Sequence, residues 1–149
     1  MKILITISLA LLVTGCCLST CGPPIGEIEI ALVNSDTRND LFLNGILDSE
    51  SIVVLNDNGS QAEFLYNHVD SISRGVITIF VKEASPNFRV LVDSINSKNN
   101  NSLIVNMTVG STETGNKCCK QLETYITLVE NYQFEVNRQN NHLDDILID

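Results

Sequence analysis

The chain has 149 residues, the size of one domain with one core. Lys and Arg number 9 against 18 Asp and Glu, a formal net charge of −9. Such a surface repels phosphate backbones and anionic headgroups, which excludes nucleic acid as an expected partner and leaves only apolar or covalent attachment to a membrane.

At 44% hydrophobic and 18% charged residues, the composition is that of a packed domain rather than a disordered one. Aromatics are 5% and Trp is absent. The core is therefore predicted to be Ile, Leu and Val, and the branched ones favour strands.

The chain opens with Met1-Lys2, one positive charge, followed by the unbroken apolar and small run Ile3 to Val13. A membrane-spanning helix needs roughly 20 apolar residues, so this run is too short to span. A basic start, a short apolar stretch and small residues behind it make a secretory signal peptide, predicted over residues 1–15. The end of that stretch, Val13-Thr14-Gly15-Cys16, resembles the lipobox of bacterial lipoproteins. The family more often has Leu where Val13 stands.

The resemblance implies cleavage before Cys16, a diacylglyceryl group on its sulfur and a further acyl chain on its new amino group. Each buried CH₂ contributes ~0.8 kcal/mol, and one chain alone binds only marginally. A triacylated Cys16 would hold an acidic, water-soluble domain at the membrane permanently. The family's inner-membrane retention signal is Asp directly after the lipidated Cys. Here that residue is Cys17, and no acidic export run follows, so the resemblance implies an outer-membrane anchor facing the periplasm.

Residues 16–25 form the expected tether, with Gly22, Pro23 and Pro24 giving stiffness and turns. Four cysteines remain: Cys17, Cys21, Cys118 and Cys119. An even number in an exported chain suggests disulfides, and four allow three pairings. A bond between adjacent Cys118 and Cys119 is strained, which favours one or both of Cys17 and Cys21 reaching that pair. Closing so long a loop is worth roughly 4–5 kcal/mol in the chain-entropy model. Free thiols and a four-thiolate metal site are the alternatives. Two adjacent cysteines rarely chelate one ion, and no His lies nearby, which argues against the metal.

Residues 26–149 are predicted to be one all-β domain. Glu27 to Val33 alternates Ile28, Ile30 and Leu32 against Glu27 and Glu29. Ser51 to Leu55 and Gln61 to Tyr66 read as strands joined by an Asn56–Ser60 hairpin turn, with Asn58-Gly59 supporting positive φ at both. Val76 to Val81 is continuous and β-branched, a central strand buried on both faces.

Ser85-Pro86-Asn87 breaks the pattern before a strand over Arg89 to Ile95. A polar loop over 96–101 leads into a strand over Ser102 to Gly110, with Leu103, Val105, Met107 and Val109 on one face. Lys117 to Leu122 is compatible with one helical turn. Thr124 to Val129 and Tyr132 to Val136 form the last pair, and Asp145 to Ile148 reads as a short edge strand. About eight short strands with regular turn signals predict an antiparallel β-sandwich of immunoglobulin or transthyretin type. Taken together, the lipobox, an extra Cys near the anchor and a sandwich bearing a late Cys-Cys resemble the small lipoproteins of Bacteroidetes type. That resemblance implies no activity.

Chemistry-bearing residues are sparse. His68 and His142 sit in polar settings without a second ligand at metal-binding spacing, and both read as exposed loop residues. There is no G-x-S-x-G elbow. Asp36 and Asp40 mark the ends of a calcium-like stretch into which Arg38 intrudes, and Asn56 to Gly59 lacks a closing Glu. These acids, with Asp48, Glu50, Asp144, Asp145 and Asp149, are read as solvated turn residues. Asp70-Ser71-Ile72 and Asp93-Ser94-Ile95 each resemble the D-[S/T]-aliphatic acceptor of Bacteroidetes O-glycosylation, which makes Ser71 and Ser94 candidate glycan sites.

No cofactor, catalytic residue or metal is expected. The expectation is a non-enzymatic, lipid-anchored envelope module that docks on an envelope protein. A carbohydrate- or peptide-binding periplasmic module ranks second, because sugar sites use stacking aromatics and only Tyr66, Tyr125 and Tyr132 accompany the five Phe. An enzyme ranks third.

Overall fold

Ile, Val and Thr at period two produce nine strands and no α-helix among the described residues of the computed structural model, which are 25–82, 87–95, 102–115, 120–137 and 143–149. The signal segment, Cys16, Cys17, Cys21 and the Gly22–Pro24 tether lie outside them. So do Ser85-Pro86, the 96–101 loop, Lys117, Cys118, Cys119 and His142.

The strands are β1 (Gly26–Asn34), β2 (Val53–Asn56), β3 (Phe64–Val69), β4 (Arg74–Val81), β5 (Asn87–Asp93), β6 (Ser102–Gly115), β7 (Lys120–Val129), β8 (Gln133–Asn137) and β9 (Leu143–Ile148). They form a five-stranded sheet, β3-β4-β1-β9-β8, and a four-stranded sheet, β2-β5-β6-β7. The architecture is the predicted all-β sandwich. All pairs are antiparallel except β1 with β9, where Ile30 stands beside Asp144 and Asn34 beside Ile148.

The main core fills the space between the sheets. Ile30, Leu32, Ile77, Ile79 and Ile146 from one side meet Val54, Val90, Val92, Val105 and Met107 from the other. A second apolar cluster occupies the outer face of the five-stranded sheet: Ala31, Val33, Val76, Leu143 and Leu147, with Val69 and Ile72 packed against it. β4 is thus buried on both faces, as its continuous run predicted.

Three expectations need correcting. β9 is no edge strand. It begins at Leu143, lies between β1 and β8, and is buried along its length. Ile146 and Ile148 face the main core while Leu143 and Leu147 face the second cluster, so an apolar run of this kind needs neighbours on both sides. The paired strands expected after residue 50 and after residue 123 are not ladders either. β2 and the following segment share one bridge, Leu55 with Gln61, before the chain passes over the edge to pair β3 with β4. β7 and β8 likewise lie in different sheets, joined through Glu130 to Tyr132. Residues 120–122, compatible in sequence with one helical turn, are strand, because they pair with 113–115 of β6.

The turn after β2 also differs in detail. Gly59 N donates to Asn56 O at 2.9 Å and Asn56 N to Ser60 O at 2.8 Å. Gly59 alone takes positive φ, +78°, so this is a three-residue loop ending in a glycine bulge rather than a two-residue turn.

Candidate functional site

The outer face of the four-stranded sheet is open, and its residues come from the period-two alternation of β5 and β6. Asn87, Arg89, Leu91 and Asp93 point the same way as Ser102, Ile104, Asn106 and Thr108, because the register sets Arg89 beside Asn106 and Leu91 beside Ile104. Phe88, Val90, Val92, Val105 and Met107 are buried beneath them.

A polar row crosses this face. Arg89 Nε donates to Asn106 Oδ1 at 3.0 Å, and Asn106 Nδ2 donates to Glu130 Oε2 at 3.0 Å. Glu130 N donates to Asn106 O at 2.9 Å, which sets Glu130 in line. One row along, Thr108 Oγ1 donates to Asn87 Oδ1 at 2.9 Å. Asn106 is orientated by both neighbours, so the row presents a guanidinium fork at one end and a carboxylate at the other. Between this row and the Asp57–Gly59 turn lies a hollow of about 430 Å³. On the other side of the row, Val53, Leu91 and Ile104 make an apolar strip, with Ile104 47% exposed. Across the row from that strip, Leu128 beside Thr108 and Tyr125 beside Gly110 are exposed on β7. Fixed polar groups beside exposed apolar ones are the chemistry of a docking surface.

The outer face of the five-stranded sheet carries charge of another kind. Asp145 is buried, and its Oδ1 accepts no hydrogen bond among the described residues. It lies 3.6 Å from Arg74 Nε. Arg38 makes a two-pronged bond to Glu135, Nη1 to Oε2 at 2.8 Å and Nη2 to Oε1 at 2.9 Å. That bond raises the Arg38 pKa and lowers that of Glu135 below the usual carboxylate range. Asp144 is buried too. Reading Asp144 and Asp145 as solvated turn acids is therefore corrected: strand pairing on both sides of β9 takes them out of water.

Asp40 is likewise no solvated acid. It is 3% exposed; Oδ1 accepts from Phe42 N and Leu43 N at 2.9 Å each, and Oδ2 from Gly75 N at 2.8 Å. Both oxygens are engaged in tying the loop after β1 to β4. Asp36 stays exposed, and Asp48 caps a single 3₁₀ turn by accepting from Glu50 N at 3.0 Å. Tyr66 lies near Asp40. Burial, and secondarily that carboxylate, push its phenol pKa up.

His68 is exposed, with Nδ1 3.5 Å from Asp70 Oδ1. Among the described residues no group of three or more His, Cys, Asp or Glu is placed to hold a metal. Of the candidate glycan sites, Ser71 is exposed in the β3–β4 turn, whereas Ser94 is half-buried and bridged to Leu47. The five cysteines lie outside the described residues.

The Arg89–Asn106–Glu130 row was not identified from the sequence. Its signal was there, polar residues at period two in two successive strands. Only the register tells which of them become neighbours. The chain matches no family model, no curated protein and no solved structure.

Proposed function

We propose that the chain is a lipid-anchored cell-envelope module that acts by docking, not catalysis. The observation that carries this reading is Val13-Thr14-Gly15-Cys16 behind an apolar run and ahead of a sandwich whose first strand starts at Gly26. So short a spacer keeps the domain close to the bilayer on which Cys16 would be acylated. The open face of β2-β5-β6-β7, with its fixed polar row and exposed Val53, Ile104 and Leu128, supports docking on an envelope protein. The placement we favour is the outer membrane, facing the periplasm.

Feeding an alkyne-tagged palmitate and fractionating cells tests the anchor. Wild type is expected to carry the label and sediment with membranes, and Cys16→Ser to do neither. A Cys16→Ser protein that still sediments, or a mature chain retaining residues 1–15, overturns the reading.

We further infer that Cys17, Cys21 or both bond to the Cys118-Cys119 pair. Support comes from the start of β1 lying against β7: Thr124 Oγ1 donates to Glu27 O at 2.6 Å, a few residues from each cysteine cluster. Intact mass after alkylation without reduction is the check. Four alkylated thiols besides Cys16 would rule the staple out.

A further inference from the structure

Each sheet of the sandwich has two edges, and edge strands expose unpaired backbone groups that native proteins normally guard. Three of the four edges here carry a guard. β2 has four residues, and Ala62 N closes on Val54 O at 2.8 Å. β7 is met by β1 through Thr124 and Glu27, and its ladder shifts register at Thr108/Val109. β8 carries Glu135, locked to Arg38.

β3 has none of these devices. Phe64 to Val69 contains no Pro, Lys or acidic residue and runs in unbroken register with β4. Phe80 N donates to Glu63 O at 3.0 Å, which fixes the alternation of the ladder. Leu65, Asn67 and Val69 are then the residues bonded to β4, and the N–H and C=O groups of Phe64, Tyr66 and His68 point outward. Among the described residues, none of the backbone bonds reaches those six groups. The edge is also held in place. Phe64 and Tyr66 pack on the main core, and the Tyr66 ring centroid is 5.0 Å from that of Phe42. A strand fixed before binding loses little entropy when a second strand adds to it. On the outer side Leu65 is 53% exposed and offers an apolar contact.

We propose that the free edge of β3 is a strand-addition site for an extended segment of a partner protein with basic residues at its flanks. Charge selects this occupant. Glu63 and Asp70, both exposed, bracket the strand, with Lys82 paired to Glu63 and His68 beside Asp70. Antiparallel pairing of β3 with a second copy joins outward residues to outward residues; with Tyr66 opposite Tyr66 it sets Glu63 beside Val69 and one position from Asp70 of that copy, between chains of net charge −9 each. A neutral, alternating segment ending in Lys or Arg avoids that repulsion and gains steering from the acidic surface. Backbone bonds supply affinity in such additions, and alternate side chains supply preference. The proposal rests on the docking reading and not on the lipid anchor.

The probe is a fluorescein-labelled peptide, Lys-Lys-Val-Thr-Val-Thr-Val-Lys-Lys, titrated by anisotropy into the purified full chain. Saturable binding is expected, weakened about tenfold or more by His68→Pro, which removes an outward N–H and no ladder bond. The same peptide flanked by Glu is expected to bind about tenfold less well. A second readout needs no variant: in hydrogen exchange, the peptide should slow the amides of Phe64, Tyr66 and His68 and leave Leu65 and Asn67 as they were. No binding, equal binding by the Glu-flanked peptide, or no change at those three amides overturns the proposal. A concentration-dependent dimer that His68→Pro dissolves also overturns it, in favour of a second copy. Loss of anchoring in Cys16→Ser would leave all these results unaffected, so the two readings fail separately.

Discussion

On the outer face of the five-stranded sheet, Ala31, Val33, Val76, Leu143 and Leu147 are buried. On the outer face of the four-stranded sheet, Val53, Ile104, Leu128 and Tyr125 stand in solvent. Both faces belong to sheets that share one core, and the contrast is written in the strands. β4, the second half of β1 (Ile30 to Val33) and the end of β9 (Ile146 to Ile148) are continuous apolar stretches buried on both sides; β5 and β6 alternate and are wet on one. The parallel pair β1–β9 lies inside the doubly buried sheet. The lesson is that the two faces differ in what a side chain is for. On the first, it holds the fold. On the second, it is free to meet something else.

The sharpest way to break that contrast is Asp40→Ala. It strands two buried backbone N–H groups and one half-buried one, at roughly 1–3 kcal/mol for each buried group, partly offset because no carboxylate is desolvated. A loss of about 3–5 kcal/mol is expected in urea unfolding. Next come matched truncations of the two outer faces. Leu147→Ala should cost about 2–4 kcal/mol and Ile104→Ala less than about 1 kcal/mol, by the same titration. Equal costs would mean that the open face is not open in solution.

A subtler pair compares two glycines that lie under tyrosines. A Cβ on Gly75 would come 2.5 Å from Tyr66 Oη and one on Gly110 2.5 Å from Tyr125 Cε2. Tyr66 is packed against Phe42, whereas Tyr125 is 50% exposed and can swing away. Gly75→Ala should therefore cost about 1–3 kcal/mol and Gly110→Ala clearly less, read as midpoint shifts.

The smallest effect concerns Glu135, whose folded pKa is depressed, chiefly by its hydrogen bond to Arg38. A depressed carboxylate stabilises above its unfolded pKa, and that contribution is lost as pH falls through the lower, folded value. Glu135→Gln should slightly lower stability at neutral pH, leave it unchanged below the folded pKa, and so slightly flatten the acid limb. The pair is exposed and screened by salt, so added salt should shrink even that difference.

Much of the sheet content was legible. Period-two alternation located β1, β5 and β6, and the branched run at Val76 located the strand buried on both faces. Partners were not legible. The turn after β2 carries a genuine hairpin signal, yet one bridge forms and the chain leaves for the other sheet, because Phe64 and Tyr66 find their apolar neighbours there. Asp144 and Asp145 read as surface acids because nothing local reports that β9 will lie between two strands. The polar row on the open face stayed hidden for the same reason: Arg89 and Glu130 become neighbours of Asn106 only through pairing.

By itself the sequence determined the strand class and the doubly apolar run of β4. These are local properties, set by side-chain branching, by period and by adjacent residues. The tertiary structure alone decided which strands share a sheet, which carboxylates lose water, and which edge, among the described residues, keeps its backbone groups free. Those depend on contacts between residues far apart in the chain, where the balance of burial against unsatisfied polar groups is settled for the whole fold at once.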